Sequence, residues 1–257
     1  MELRDQLQRK IVLNGIPQRV VSLVPSQTEL LIDLGLEENL AGITKFCVHP
    51  EYLRKTKMIV GGTKQVHFEK IAELRPDLIL CNKEENTPEM VEALEKIAPV
   101  HVSDINEIDD AYAMMLQYGQ IFKREELAKT MVKSIKKKIS VLEEIKKGKP
   151  VKRVAYLIWK EPLMVVGKNT FIDTLLQLNN LENVYSEDRY PITNPEELKA
   201  KNPDLILLSS EPYPFSEKHF EFFIDSGAEL KLVDGEYFSW YGSRLIKAMD
   251  YFKTLDF

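Results

Sequence analysis

The sequence predicts two α/β lobes with parallel sheets, joined by one long helix. Three observations carry this. Short apolar runs alternate with helical segments over residues 19–105 and again over 151–257, the pattern of parallel sheets covered by helices. Between those regions lies a charged stretch whose apolar residues fall on one helical face. The two halves also share a motif. Phe68-Glu-Lys-Ile-Ala-Glu-Leu-Arg-Pro-Asp-Leu-Ile-Leu80 matches Pro195-Glu-Glu-Leu-Lys-Ala-Lys-Asn-Pro-Asp-Leu-Ile-Leu207 at an offset of 127, with a glutamate seven residues before each proline.

In chain order, residues 20–24 (Val-Val-Ser-Leu-Val) predict a buried strand, 27–34 a helix, 41–46 a strand, 68–74 a short helix and 78–81 a strand. Residues 124–147 predict the linker helix, about 36 Å long at 1.5 Å per residue. Its apolar face is Leu127, Met131, Ile135, Ile139, Leu142 and Ile145, and Gly148-Lys149-Pro150 stops it. From residue 121 to 149, ten Lys/Arg stand against four Asp/Glu, a local net of +6 that leaves −11 on the rest. Those lysines are read as a solvated helix face rather than a nucleic-acid or membrane surface. The second half predicts strands at 153–159 and 205–208, a helix at 171–178 and another starting near Ser243. A weaker echo pairs Arg19-Val with Arg153-Val at the first strand of each half. The expected division is an N-terminal lobe at 1–106, a helical linker at 107–150 and a C-terminal lobe at 151–257.

The chain has 257 residues, 44% hydrophobic and 29% charged, enough to bury a core without staples. Its net charge of −5 argues against a nucleic-acid partner. No apolar run is long enough to span a membrane, and the first ten residues hold no apolar leader core, so no signal peptide is read in the sequence as given. Cys47 and Cys81 are the only cysteines, too few for a four-cysteine zinc site, and they leave one disulfide open.

Several residues have both a structural and a functional reading. Ser26 and Glu29 in Pro25-Ser-Gln-Thr-Glu29 fit a capping box, while their place after the first strand puts Pro25 and Ser26 at the carboxyl edge where open α/β sheets bind ligands. Glu69 and Glu196 fit first-turn residues that complement the helix dipole. Their equivalent placement in the two halves makes them a pair of anionic knobs suited to a two-fold-related cationic partner. Tyr237-Phe-Ser-Trp240-Tyr241-Gly-Ser-Arg244 reads as an aromatic cleft wall, because glycine, serine and arginine mark a loop. Phe46 and Trp159 end predicted strands. Cys47-Val-His49 has ligand spacing, so His49 with His67 forms a direct metal-ion alternative; His101 and His219 are scattered. There is no Walker A loop, GxGxxG, HExxH or GxSxG, so no catalytic residue is assigned and a binding protein is favoured over an enzyme.

Arg19-Val-Val-Ser-Leu-Val-Pro-Ser-Gln-Thr-Glu-Leu-Leu-Ile-Asp-Leu-Gly35 resembles the opening of class III substrate-binding proteins of ABC importers, which take up cobalamin, haem and iron–siderophore complexes. Asp5–Leu13, Gly61-Gly-Thr-Lys-Gln-Val-His-Phe-Glu69, the paired Pro-Asp-Leu-Ile-Leu runs, the linker helix and Glu236-Tyr-Phe-Ser-Trp-Tyr-Gly-Ser-Arg244 extend the resemblance, in order, over nearly the whole chain. The cobalamin-binding branch is the nearest. The resemblance implies a ligand held between two lobes, with Glu69 and Glu196 docking onto arginines of an ABC transporter permease. It implies no catalytic cofactor, a corrinoid or other metal chelate as ligand, and a monomer. Phe46 falls where the family's cobalamin binders place an aromatic, and Thr63 and Asn82 fall where they carry tryptophans. Glu236, Tyr237, Trp240, Tyr241 and Arg244 complete the expected ligand set with Pro25, Ser26 and Trp159. The family works in the periplasm or cell envelope. The alternative is a cytoplasmic corrinoid- or cofactor-handling protein or enzyme on the same scaffold.

Overall fold

The structure is a computed structural model that describes residues 1–257. The chain divides into two units. Unit 1 comprises Met1–Ile105, Asp109–Ser134 and Tyr241–Arg244; unit 2 comprises Asn106–Ile108, Ile135–Trp240 and Leu245–Phe257. This differs from the expected division in two ways. The helical stretch is shared between the units instead of standing apart, and four residues near the C-terminus belong to unit 1.

Unit 1 opens with an antiparallel hairpin, β1 (Glu2–Arg4) and β2 (Lys10–Val12). Then follow β3 (Val20–Ser22), α1 (Pro25–Asp33), β4 (Leu40–Ile43), α2 (Leu53–Thr56), β5 (Met58–Ile59), α3 (Phe68–Glu73), β6 (Leu78–Asn82), α4 (Pro88–Glu95), β7 (Val100–Ser103) and α5 (Ile108–Phe122). The five strands are parallel in the order β5-β4-β3-β6-β7. Every residue of β3, β6 and β7 is buried, including the polar Ser22, Asn82, His101 and Ser103, so the apolar runs read at 20–24 and 78–81 fall on strands covered on both faces, while the alternating Val-His-Val-Ser of β7 gave no such run. Val21, Ile79 and Val100 pack against Ile71 of α3 and Leu94 of α4 in one core.

Helix α6 (Glu125–Lys146) begins in unit 1 and ends in unit 2. Its buried stripe is Ala128, Val132, Ile135, Leu142 and Lys146, whereas Leu127 is 46% and Ile145 42% exposed. The expected stripe was therefore rotated at both ends. The smaller Ala128 lies against Gly119 of α5, where a Cβ on the glycine would come within 2.8 Å of the alanine's. Lys146 buries its stem while its ammonium donates to the Leu255 carbonyl (3.1 Å) and lies 5.2 Å from the centre of the Phe257 ring.

Unit 2 continues with β8 (Lys152–Trp159), β9 (Met164–Val165), α7 (Phe171–Leu178), β10 (Leu181–Asn183), α8 (Pro195–Ala200), β11 (Leu205–Ser209), β12 (Glu229–Val233), α9 (Gly235–Ser239) and α10 (Leu245–Thr254). Strands β10-β8-β11-β12 are parallel, and β9 pairs antiparallel with β8. Thr170 and Asn194 cap α7 and α8 by accepting from Asp173 N–H and Glu197 N–H.

The sequence repeat is a physical device. Two residues past the end of each of α3 and α8, directly before its proline, stands a residue with positive φ, Arg75 (46°) and Asn202 (48°). The next residue is an aspartate. Asp77 accepts the N–H groups of Gln18 (2.7 Å) and Arg19 (2.9 Å), and Asp204 accepts that of Arg153 (2.8 Å). In return the backbone N–H groups of Asp77 and Asp204 donate to the Arg19 and Arg153 carbonyls. The arginine side chains satisfy the helix ends, Arg19 on the Leu74 carbonyl and Arg153 on the Lys201 and Asn202 carbonyls. The same aspartate–arginine clamp thus fixes helix to strand in both units.

The capping box expected at Ser26 and Glu29 is absent. Pro25 opens α1 two residues earlier, Val24 is the N-cap without a side-chain bond, and both Ser26 and Glu29 are buried. Glu29 instead accepts from Arg244 Nε at 2.7 Å, with the two side chains 6% and 5% exposed. Removing one partner leaves a buried charge without its counter-ion, so Glu29→Ala is expected to cost about 3–5 kcal/mol of stability in a urea titration. The joint replacement Glu29→Met with Arg244→Met is expected to cost less than the single change.

Candidate ligand-binding site

Ligands of open parallel sheets bind beyond the carboxyl ends of the strands, and most of the expected site residues lie on that edge of their own unit. In unit 1, α1 starts immediately after β3, so Pro25 and Ser26 stand at the edge, Pro25 half-buried and Ser26 buried. Gln27 is the hub behind them. Its amide donates to Ser103 Oγ (2.7 Å), Tyr241 Oη (3.2 Å) and the Cys81 carbonyl (3.3 Å), and its carbonyl oxygen accepts from Tyr118 Oη (2.8 Å). Burial pushes the Tyr241 hydroxyl up to about 12, so it stays a neutral donor and acceptor.

Asn82 ends β6 and is 2% exposed. Its amide is spent on the Ser103 carbonyl and hydroxyl, and its carbonyl oxygen accepts the N–H groups of Glu84 and Glu85. Asn86 donates to the Thr63 carbonyl at 2.8 Å, which ties the Asn82 loop to the half-buried Thr63. Beside Thr63, Gly62 lies against the Phe46 ring, so close that a Cβ there would meet Phe46 Cε2 at 3.2 Å. Phe46 is 47% exposed, with Lys45 Nζ 5.0 Å from its ring centre. Phe46, Thr63 and Asn82 therefore form one neighbourhood, but only Phe46 offers a large open surface.

In unit 2, Trp159 ends β8 and is 38% exposed. Its indole N–H donates to the Glu161 carbonyl (3.0 Å), and its ring meets Tyr213 edge-on at 5.8 Å. Tyr213 is backed by Phe215 (4.7 Å) and His219 (5.5 Å). The Ser216 N–H donates to His219 Nδ1 at 2.9 Å, which assigns the ring proton to Nε2, the nitrogen facing Tyr213 Oη.

The expected aromatic wall at 237–244 is mostly interior. Trp240 is 8% exposed, Tyr241 7% and Arg244 5%. These three are packing and hydrogen-bonding residues, because each polar end finds a partner inside its own unit: Trp240 on Glu211, Tyr241 on Gln27, Arg244 on Glu29. Glu236 and Tyr237 in α9 stay half-buried, and Tyr237 stacks on Tyr251 at 4.7 Å. Glu69 and Glu196 are both exposed in the first turns of α3 and α8, and neither joins an ion pair. Cys47 and Cys81 are free, buried thiols. No three His, Cys, Asp or Glu side chains converge as metal ligands.

One functional candidate is absent from the sequence reading. Glu211 follows β11 by two residues, and its Oε1 accepts from Ser239 Oγ (2.6 Å) and Trp240 Nε1 (3.0 Å). Burial, with the charges of Glu236 and Asp234, raises its carboxyl to about 7, against the pull of those two hydrogen bonds. Its position just past an apolar run, at the carboxyl end of a parallel strand, is the signal that was available. Between about pH 4.5 and 7 the native protein holds a proton here that the unfolded chain has released, so this group makes stability fall as pH rises through that window. The loss is at most about 3 kcal/mol at 1.36 kcal/mol per pH unit. Urea titrations at pH 5 and 8 are expected to show Glu211→Gln gaining stability relative to the native protein at the higher pH.

Comparison with known proteins agrees with this architecture. The model of a periplasmic binding protein family matches residues 20–230. A vitamin B12-binding protein of Pectobacterium carotovorum subsp. carotovorum (strain PC1) is 25% identical over 239 residues, covering 91% of this chain and 86% of its own. An ABC transporter substrate-binding lipoprotein of Bacillus subtilis (strain 168) is 26% identical over 215 residues, covering 79% of this chain and 67% of its own. The periplasmic vitamin B12 binding protein of Vibrio cholerae has the same fold, with a TM-score of 0.80 over 93% of this chain and 96% of that one at 17% identity. With four-fifths of its length matched to the family model and both sheets in place, the chain belongs to the periplasmic binding protein family.

Proposed function

We propose that this chain is the substrate-binding protein of an ABC importer, capturing a corrinoid or a related metal chelate at the carboxyl edges of its sheets and handing it to a permease in the cell envelope. The observation that carries the reading is the pair Glu69 and Glu196. Both occupy the same place in the repeated helix–strand device, and both are exposed and outside any ion pair in a chain of this family. A carboxylate in a first helical turn needs no salt bridge to be stable there, and one left open is ready for a cationic partner. The ligand class follows from the surface on offer. Phe46 and Trp159 present aromatic faces at the two edges, and flat apolar rings suit the faces of a planar chelate. The Pectobacterium relative binds vitamin B12 and the Bacillus relative belongs to an ABC transporter, which supports the same ligand and the same partner.

Calorimetric titration with cyanocobalamin, haem and a ferric siderophore is expected to show binding of at least one, weakened about tenfold by Trp159→Ala. Binding of none would refute the reading. Charge reversal at both Glu69 and Glu196 to Arg is expected to abolish uptake by reconstituted importer vesicles while leaving ligand affinity unchanged. Equal loss of uptake and binding would make the glutamates structural.

A further inference from the structure

Glu211 sits in a place built for it. Ser209 at the end of β11 donates through Oγ to the Glu211 carbonyl (2.6 Å) and accepts from the Glu211 N–H (3.4 Å). Gly235 leaves the room: a Cβ at that position would stand 2.3 Å from Ser209 Oγ and 2.6 Å from Glu211 Cγ. Ser239 and Trp240 then hold Oε1 from α9 and the residue after it. Oε2 makes no hydrogen bond within the chain.

A purely structural role does not require a carboxylate here. A glutamine would accept the same two hydrogen bonds through its carbonyl oxygen, without the cost of burying a charge that no cation balances. The nearest charged groups, Asp234 and Glu236, are of the same sign and make the ionised form costlier. What glutamate alone supplies is a second oxygen, which stays open while the first takes both donors. Glu211 lies beyond the carboxyl end of a parallel strand, two residues before Tyr213, whose ring contacts the exposed Trp159. An open acceptor on the same strand end as these aromatics matches a ring bordered by amide N–H donors, and it repels a ring bordered by carboxylates.

We propose that Glu211 contacts the bound chelate through Oε2, accepting hydrogen bonds from peripheral amide N–H groups, and so selects an amide-bordered ring over a carboxylate-bordered one. The proposal rests on the chelate-binding reading above. It is tested with two probes that share one corrin ring, dicyanocobinamide with its amide border and dicyanocobyrinic acid with its carboxylate border, titrated at pH 8. The native protein is expected to bind the amide probe at least about tenfold more tightly. Glu211→Gln, checked for folding by its thermal melt, is expected to shrink that ratio about tenfold. Equal affinity of the native protein for both probes overturns the proposal without any variant. So does a ratio unchanged in Glu211→Gln, while the chelate reading stands. If the native protein binds neither these corrinoids nor haem nor a ferric siderophore, the chelate reading fails and the proposal with it.

Discussion

A guanidinium buried in a protein interior must have its charge met, and the Glu29–Arg244 pair is where this chain meets that demand in unit 1. Much of the unit's carboxyl edge follows from it. Arg244 reaches Glu29 only because the segment 241–244 lies on α1, and Gly242 permits that path with a φ of 83°, which other residues rarely adopt. The same segment brings the Tyr241 hydroxyl to the Gln27 amide, and Gln27 in turn gathers Ser103, the Cys81 carbonyl and Tyr118. Strands β6 and β7 and helices α1 and α5 are thereby joined through side chains as well as through the core. Each buried polar group in this network is costly alone and stabilising together with its partners, which makes the edge a fixed floor.

The opposite ends of the strands are governed by the aspartate–arginine clamp. It reads in the sequence as Pro-Asp preceded by a helical pattern, and its repetition in both units explains why the match at offset 127 holds at the Glu69/Glu196 positions too. Glu69 and Glu196 stand in the first turns of the two helices that the clamp ties to the strands, so the docking role proposed for them uses equivalent positions in the two units.

What was legible in the sequence was local. Apolar runs marked the buried parallel strands, the helical period marked α6, and Gly148 and Pro150 marked its end. What was not legible depends on partners far along the chain. Ser-x-x-Glu spells a capping box when read locally, yet Glu29 belongs to Arg244, 215 residues away. Trp240, Tyr241 and Arg244 looked like a loop wall because glycine and serine lie among them, but each makes a hydrogen bond within the fold. Leu127 looked like core by its spacing, and the size of the neighbour on α5 gave the position to Ala128. Glu211 had no periodicity to announce it, since a single glutamate between Ser-Ser and Pro-Tyr-Pro resembles any polar turn. Only the donors that converge on one of its oxygens single it out.

The two edges end up with different chemistry. In unit 1, the amides of Gln27, Asn82 and Asn86 already donate to partners within the unit, and their carbonyl oxygens already accept, so what remains for a ligand is chiefly the open ring of Phe46. Unit 2 keeps more capacity, with the Trp159 indole face, the Tyr213 ring behind it and one oxygen of Glu211. Aromatic faces give affinity for a flat apolar ring with little regard to its substituents, because burial and stacking scale with area. Discrimination among rings of similar area falls to oriented polar groups, since an unpaired donor or acceptor left dry costs far more than a matched one gains. Under the proposed function, selectivity therefore belongs to the edge of unit 2.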